Sequence, residues 1–272
     1  MAKTNFKSLL DAGAHFGHLK RKWNPAMAPY VFDEKKGIHV IDLNKTIVKI
    51  DEAAAAIKQI AKSGRKVLFV ATKKQAQEIV TSHVKEVNMP YITERWPGGM
   101  LTNFKTTRKT IRKMTSIDKM MEDGTAKTMS KRERLQMTRQ KDKMQKVIGS
   151  IADMTRLPAA VFVVDVRKEH IAVAESRKLG IPVFAMVDTN SDPKPIDFVI
   201  PANDDATKSI DLIVGLMCDA IKEGLSERKA GKEKAAEKTA EKVAEAPVVE
   251  AKAPVVEAKA EAVVSEKAVE KK

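Results

Sequence analysis

The chain has 272 residues, with 50 Lys and Arg against 36 Asp and Glu and a formal charge of +14. This length allows one large domain or two small ones with a substantial core, and the charge asks for a polyanionic partner without saying which. No apolar run approaches the ~20 residues that cross a bilayer, Met1–Asn5 leads into a polar stretch with no signal core, and the lone Cys218 excludes an internal disulfide or a multi-cysteine zinc site; a soluble, unsecreted protein of a reducing compartment is expected.

From Ile38 to about Leu225, short β-rich runs alternate with amphipathic helical stretches. Lys66–Thr72 is a nearly continuous apolar run, as a strand covered on both faces should be. A helix begins near Lys73, with Thr72 and Gln75 at capping-box spacing. Met89–Thr93 is a weaker strand. Ala159–Val166 is the strongest, and the helix after it, from Glu169 to Leu179, stops at Gly180. Ile181–Val187, the loop Asp188–Pro195, a short strand Phe198–Ile200 and a helix from about Asp205 to Glu223 complete the alternation. Such spacing predicts an α/β core, doubly wound, with a parallel sheet and helices on both faces.

Residues 103–156 interrupt this core without any strand signal. Phe104–Met121 and Lys131–Met154 read as two long helices broken at Gly124. Met137, Met144 and Ile151 recur every seven residues on the second, while Ile111, Met114 and Met121 stripe the first. Seams this thin suit two antiparallel helices packed on each other as a projecting arm. The α/β domain is therefore discontinuous, 1–102 with 157–225. Beyond it, residues 226–272 collapse to Ala, Glu, Lys, Val and Pro, and Ala246–Lys252 is repeated as Ala253–Lys259. A proline in each repeat and the absence of aromatics predict a disordered tail.

Charge is not spread evenly over these segments. The inserted helices carry 15 basic and 6 acidic residues, whereas 157–225 carries 7 and 11. A uniformly basic surface is excluded, and the arm becomes the first place to look for a polyanion site.

Enzymatic chemistry finds little support. The sequence contains no Gly-x-Gly-x-x-Gly, no Walker loop and no Gly-x-Ser-x-Gly elbow. Ala71–Lys74 can place a helix N-terminus against a phosphate, but an ordinary capped helix with two solvated lysines explains it as well. His15 and His18 lie three apart with no nearby carboxylate or cysteine to complete a metal site. Asp188-x-Asn190-x-Asp192 imitates the start of a calcium loop, yet Pro193 stands where glycine is needed and Val199 where the bidentate Glu belongs. No catalytic residue, metal ligand or cofactor is expected.

Two loops combine cations with an indole. Lys20, Arg21, Lys22, Trp23 and Asn24 can set a tryptophan against a ribose or base while the cations meet phosphates. Arg95, Trp96 and Asn103 flank the Gly98–Gly99 pair, which permits close backbone approach. A core plug is the plain alternative for either tryptophan; both sit in loops beside basic residues, which favours RNA. Lys105, Arg108, Lys109, Arg112 and Lys113 cluster at the root of the arm.

At this point the residues resemble a known family. Leu9–His18, then Arg21–Pro25, then Arg95-Trp96-x-Gly98-Gly99-x-Leu101–Phe104, and finally Pro158–Asp165 continuing to Glu169, Glu175 and Gly180–Pro182, are similar in order and spacing to the bacterial small-subunit ribosomal protein S-two family. The resemblance covers about residues 5 to 225. It implies a flavodoxin-like α/β domain carrying a helical hairpin, a structural constituent of the small ribosomal subunit in the cytoplasm, and no enzyme. The implied partners are small-subunit ribosomal RNA and neighbouring ribosomal proteins, including S-one. Two rival classes are an α/β nucleotide-binding enzyme and a nucleic-acid-binding regulator acting outside the ribosome.

Overall fold

A computed structural model describes residues 5–123 and 129–244, without the side chains of 232–244. The chain divides into two units, Met1–Gly231 and Lys232–Lys272. In the first, β4 (Val67–Val70), β5 (Tyr91–Ile92), β6 (Ala160–Val164), β7 (Val183–Val187) and β8 (Phe198–Pro201) form a parallel sheet of order β5-β4-β6-β7-β8. Taken in order of appearance, its strands stand second, first, third, fourth and fifth, which is the flavodoxin-like winding. Every residue of β4, β6 and β7 is buried, because helices cover both faces.

Alternate strand residues feed two separate layers. Val67, Phe69, Phe162, Val164, Phe184 and Met186 point to a layer made by α2 (Leu43–Lys62), α3 (Lys74–Glu86) and α7 (Thr207–Ala244). Leu68, Val70, Val161, Val163, Val183 and Ala185 point to the other, made by α4 (Phe104–Glu122), α5 (Lys131–Ile148) and α6 (His170–Lys178). Helix α2 earns its place by buried residues at Leu43, Thr46, Ile50, Ala53, Ile57 and Ala61, the spacing of one helical face, and by Asp42, whose side chain accepts from the Asn44 N–H as the N-cap. It meets α7 closely: a Cβ on Gly224 would stand 2.5 Å from the Lys58 carbonyl.

Helices α4 and α5 occupy the crossover from β5 to β6 and touch one another, with Lys141 Nζ 2.6 Å from Asp118 Oδ1. Their junction around Gly124 falls outside the described residues. Ser130 opens α5 with a reciprocal capping box to Glu133. Two expectations change. Thr72 and Gln75 form no capping box: the N-cap is Lys73, and the Thr72 hydroxyl is drawn instead to Glu169. The closing helix, expected to stop at Glu223, continues as α7 to Ala244, its alanine-rich sequence supplying strong helix formers. Of the tail expected over residues 226–272, the part up to Ala244 is thus helical, and the rest, with both repeats, lies outside the described residues.

Ahead of the parallel sheet, α1 (Phe6–Asp11) leads into β1 (Phe16–Leu19), β2 (Val31–Lys35) and β3 (Ile38–Ile41), a small antiparallel sheet of order β1-β3-β2. A tight positive-φ pair, Lys36 and Gly37, turns the hairpin between β2 and β3. This sheet is fastened to the parallel one where the Asn24 N–H donates to the Thr189 carbonyl and the His18 N–H to Thr189 Oγ1.

Candidate nucleic-acid interface

The Gly-Gly loop is shaped from within. Glu175, on the buried side of α6, accepts hydrogen bonds from Trp96 Nε1 (3.2 Å), the Gly99 N–H (2.7 Å), the Leu101 N–H (2.9 Å) and both the N–H (3.1 Å) and hydroxyl (3.2 Å) of Thr102. Burial alone would raise this carboxyl, but those donors outweigh it and hold Glu175 below the usual carboxylate range. Gly99 has φ +80°, a conformation glycine adopts without strain. Trp96 is therefore a core plug, 7% exposed, rather than the exposed indole that the sequence suggested. What the loop leaves outside is Arg95, exposed on one flank, and Asn103 on the other, where Asn103 is the N-cap residue of α4 and its Oδ1 accepts from the Thr106 hydroxyl.

From Asn103 onward the cations of α4 emerge. Lys105, Lys109, Arg112 and Lys113 are exposed and Arg108 half-buried, while Ile111 and Met114 between them turn into the core. Residues 103–117 contain no carboxylate. Among the described residues, none of these five cations has a carboxylate partner within ion-pair distance.

The other tryptophan loop is a short 3-10 turn, Lys20–Lys22. Arg21 and Lys22 are exposed, Lys20 pairs with Glu34 at 2.8 Å, and half-buried Trp23 lies against His39 with ring centroids 4.8 Å apart. Asn24 serves the fold: its side chain caps the next turn by accepting from the Ala26 N–H. Arg21, Lys22, Arg95 and the α4 cations remain available to a ligand; Trp96 and Asn24 are engaged internally.

A second constellation was invisible in the sequence because its parts come from four places. At the carboxyl edge of the parallel sheet, Lys73 Nζ reaches Asp204 Oδ1 (2.8 Å) and Asp205 Oδ1 (2.5 Å), and His18 Nδ1 lies 3.0 Å from Asp188 Oδ2. The neighbouring carboxylates hold His18 above its ordinary value despite burial. Burial, then Asp188 and Asp165, push the Asp204 carboxyl up to about 7. His18, Asp188 and Asp204 each offer a ligand atom within 4.8 Å of the others, and one imidazole with two carboxylates suits zinc or a similar divalent ion. The view that nothing completes a site around His18 is thus corrected. Glu169, also buried, takes the N–H and hydroxyl of Thr72; burial raises its carboxyl more than those bonds lower it.

Cations on the opposite layer are treated differently. Lys49 pairs with Glu52, Lys58 with Glu223 and Glu227, Lys62 with Glu227, and Lys222 with Glu86 and Asp219. A doubly wound sheet with several cross-helix ion pairs on one layer and, on the other, a run of cations from Lys105 to Lys113 without a carboxylate partner among the described residues has the charge distribution of an α/β scaffold with one cationic flank. The comparison with known proteins gives that class its family. The model of the family described as "Ribosomal protein S2" matches residues 9–224. Proteins named "Small ribosomal subunit protein uS2" are 68% identical in Porphyromonas gingivalis and 67% identical in Bacteroides fragilis, each over 232 residues, which is 85% of this chain and 83% or 84% of theirs. The chain belongs to the ribosomal protein S2 family, and so is a structural protein of the ribosome rather than an enzyme. No helix of the described residues is long and apolar enough to cross a membrane.

Proposed function

We propose that the chain is a structural constituent of the small ribosomal subunit in the cytoplasm, where it binds small-subunit ribosomal RNA and so supports translation. The observation that carries this reading is the set of uncompensated cations from Lys105 to Lys113 on a stretch without a carboxylate. Their ligand is an RNA backbone, met through shape and phosphates, because A-form duplex hides its base edges from side chains. Arg21, Lys22 and Arg95 extend the contact. The protein neighbours, S-one among them, need a different surface, and Phe6, Leu10, His15 and Phe32 line an open pocket of about 280 Å³ with Phe32 75% exposed.

Replacing Arg108, Lys109, Arg112 and Lys113 by Gln tests the RNA reading. Each phosphate contact removed should lower the salt slope of RNA binding by about 0.7 to 0.9. An unchanged slope would place the RNA elsewhere. Sedimentation of the chain only as free protein, rather than with the small subunit in high-magnesium gradients, would defeat the assembly role.

A further inference from the structure

The loop Asp188–Pro195, rejected as a calcium site, forms one wall of a pocket of about 390 Å³. The facing wall is α6: His170, Val173, Ala174 and Arg177 stand at i, i+3, i+4 and i+7 and share one helix face. Val166 closes the floor, and Pro195 with Val173 and Ala174 makes the interior apolar. The rim carries two arginines and one carboxylate, Asp192. Arg167 and Arg177 are exposed and, among the described residues, have no carboxylate partner, while Asp192 already accepts from the Lys194 N–H. The loop wall is preset, with the Ser191 N–H bonded to the Asp188 carbonyl and the Ser191 hydroxyl to Asn190 Oδ1, which leaves the Asn190 amide nitrogen to donate elsewhere.

We propose that this pocket receives an unstacked nucleotide of single-stranded RNA, its base against Val173, Ala174 and Pro195 and its phosphate on Arg167 and Arg177. The size falls within the range of small-ligand pockets. Its chemistry is that of single-strand recognition: an apolar slot, arginine and histidine planes on which a base stacks, and amide and hydroxyl groups for a base edge. The pocket lies in the acidic segment 157–225, but the carboxylates nearest it on the helix side are withdrawn from the surface. Helix α6 belongs to the same layer as α4 and α5, and its two glutamate neighbours, Glu169 and Glu175, are buried in hydrogen bonds rather than displayed. An acidic peptide would satisfy the arginines but has no use for a base-edge donor beside an apolar slot. The assignment rests on the RNA reading above and adds to it a second, duplex-independent contact.

The test uses the full chain with two probes, fluorescent hexauridylate and a short blunt RNA duplex. Ala174→Leu fills the slot without an aromatic face, and Arg177→Gln removes a rim cation; both positions are exposed, and thermal melting checks that the variants fold. Each should weaken hexauridylate by about tenfold, the loss of one stacked or charge-assisted contact, and leave the duplex unaffected. The quadruple Gln variant of the arm should do the converse. Parent-like hexauridylate binding by both pocket variants, with the arm variant still impaired, would overturn the nucleotide assignment and leave the broader RNA reading standing. No effect of either set would overturn both. Displacement of hexauridylate by hexaglutamate at equal concentration would make the pocket a carboxylate site and also sink the proposal.

Discussion

The two layers that sandwich the parallel sheet use lysine and arginine for opposite ends. Around α2, α3 and α7, cations are answered by carboxylates across helices, as in the ladder of Lys58 and Lys62 with Glu223 and Glu227. On the other side Glu169 and Glu175 are buried in hydrogen bonds and Asp118 pairs with Lys141, but the first three turns of α4 hold no carboxylate, and among the described residues the cations from Lys105 to Lys113 have no carboxylate partner. The number of basic residues therefore says little about where a polyanion binds. The absence of an internal counter-charge says more, because a cation already paired must leave its carboxylate before it can neutralise a phosphate and free the counterions condensed there.

That contrast breaks most easily on salt dependence. Four Gln substitutions on α4, at Arg108, Lys109, Arg112 and Lys113, should reduce the log–log salt slope for ribosomal RNA by about 3. Four on the opposite layer, at Lys49, Lys58, Lys62 and Lys222, should leave it unchanged, and an equal fall in both variants would erase the distinction. Next in size is Glu175→Gln, which leaves buried donors of the Gly-Gly loop unsatisfied and should cost about 3 kcal/mol in urea unfolding at neutral pH. The Glu175 carboxyl is held low in the folded state, so its contribution is complete above the unfolded value near 4.3 and is lost as pH falls below it. The variant's deficit should accordingly shrink toward acid; a deficit independent of pH would mean that the charge is not what holds the loop.

Smaller effects belong to the paired layer. Gly224→Ala forces a methyl group against the Lys58 carbonyl and Ala61 and should destabilise by about 1 to 3 kcal/mol, as overpacking does, with no change in RNA affinity. The smallest is Lys222→Gln: its partners Glu86 and Asp219 are exposed, and a melting temperature within error of the parent is expected. A marked drop there would give the paired face a larger role in stability than solvated ion pairs carry.

The parallel sheet was legible because β4, β6 and β7 are continuous apolar runs, a pattern that survives without tertiary information. The antiparallel sheet was not. Its strands are four or five residues long; β1 and β2 are largely exposed, and in β3 one of the two buried positions is His39, so no apolar alternation marks them. At the sites, exposed cations could be read from the chain, since unpaired charges such as those of Lys105, Lys109, Arg112 and Lys113 are too costly to bury. Buried polar groups could not. Trp96 beside Arg95 looked like a ligand-facing indole, and only Glu175, distant in sequence, makes it a core residue. His18 likewise meets Asp188 and Asp204 through the ends of β7 and β8, a juxtaposition that sheet order creates and local sequence does not contain.

The grip of Glu175 on the Gly-Gly loop has one more consequence. Three backbone N–H groups within four residues, at Gly99, Leu101 and Thr102, aim at one pair of oxygens, which is the construction of a phosphate-cradling nest. Here the tenant is built in: the anion is a side chain of the same protein, and the cradle serves as a latch rather than a receptor. Evicting the tenant by Glu175→Ala should turn it back into a receptor. Phosphate or sulfate should then recover part of the lost stability where chloride at equal ionic strength does not, a chemical rescue that measures how nearly this scaffold borders on the nucleotide-binding proteins whose winding it shares.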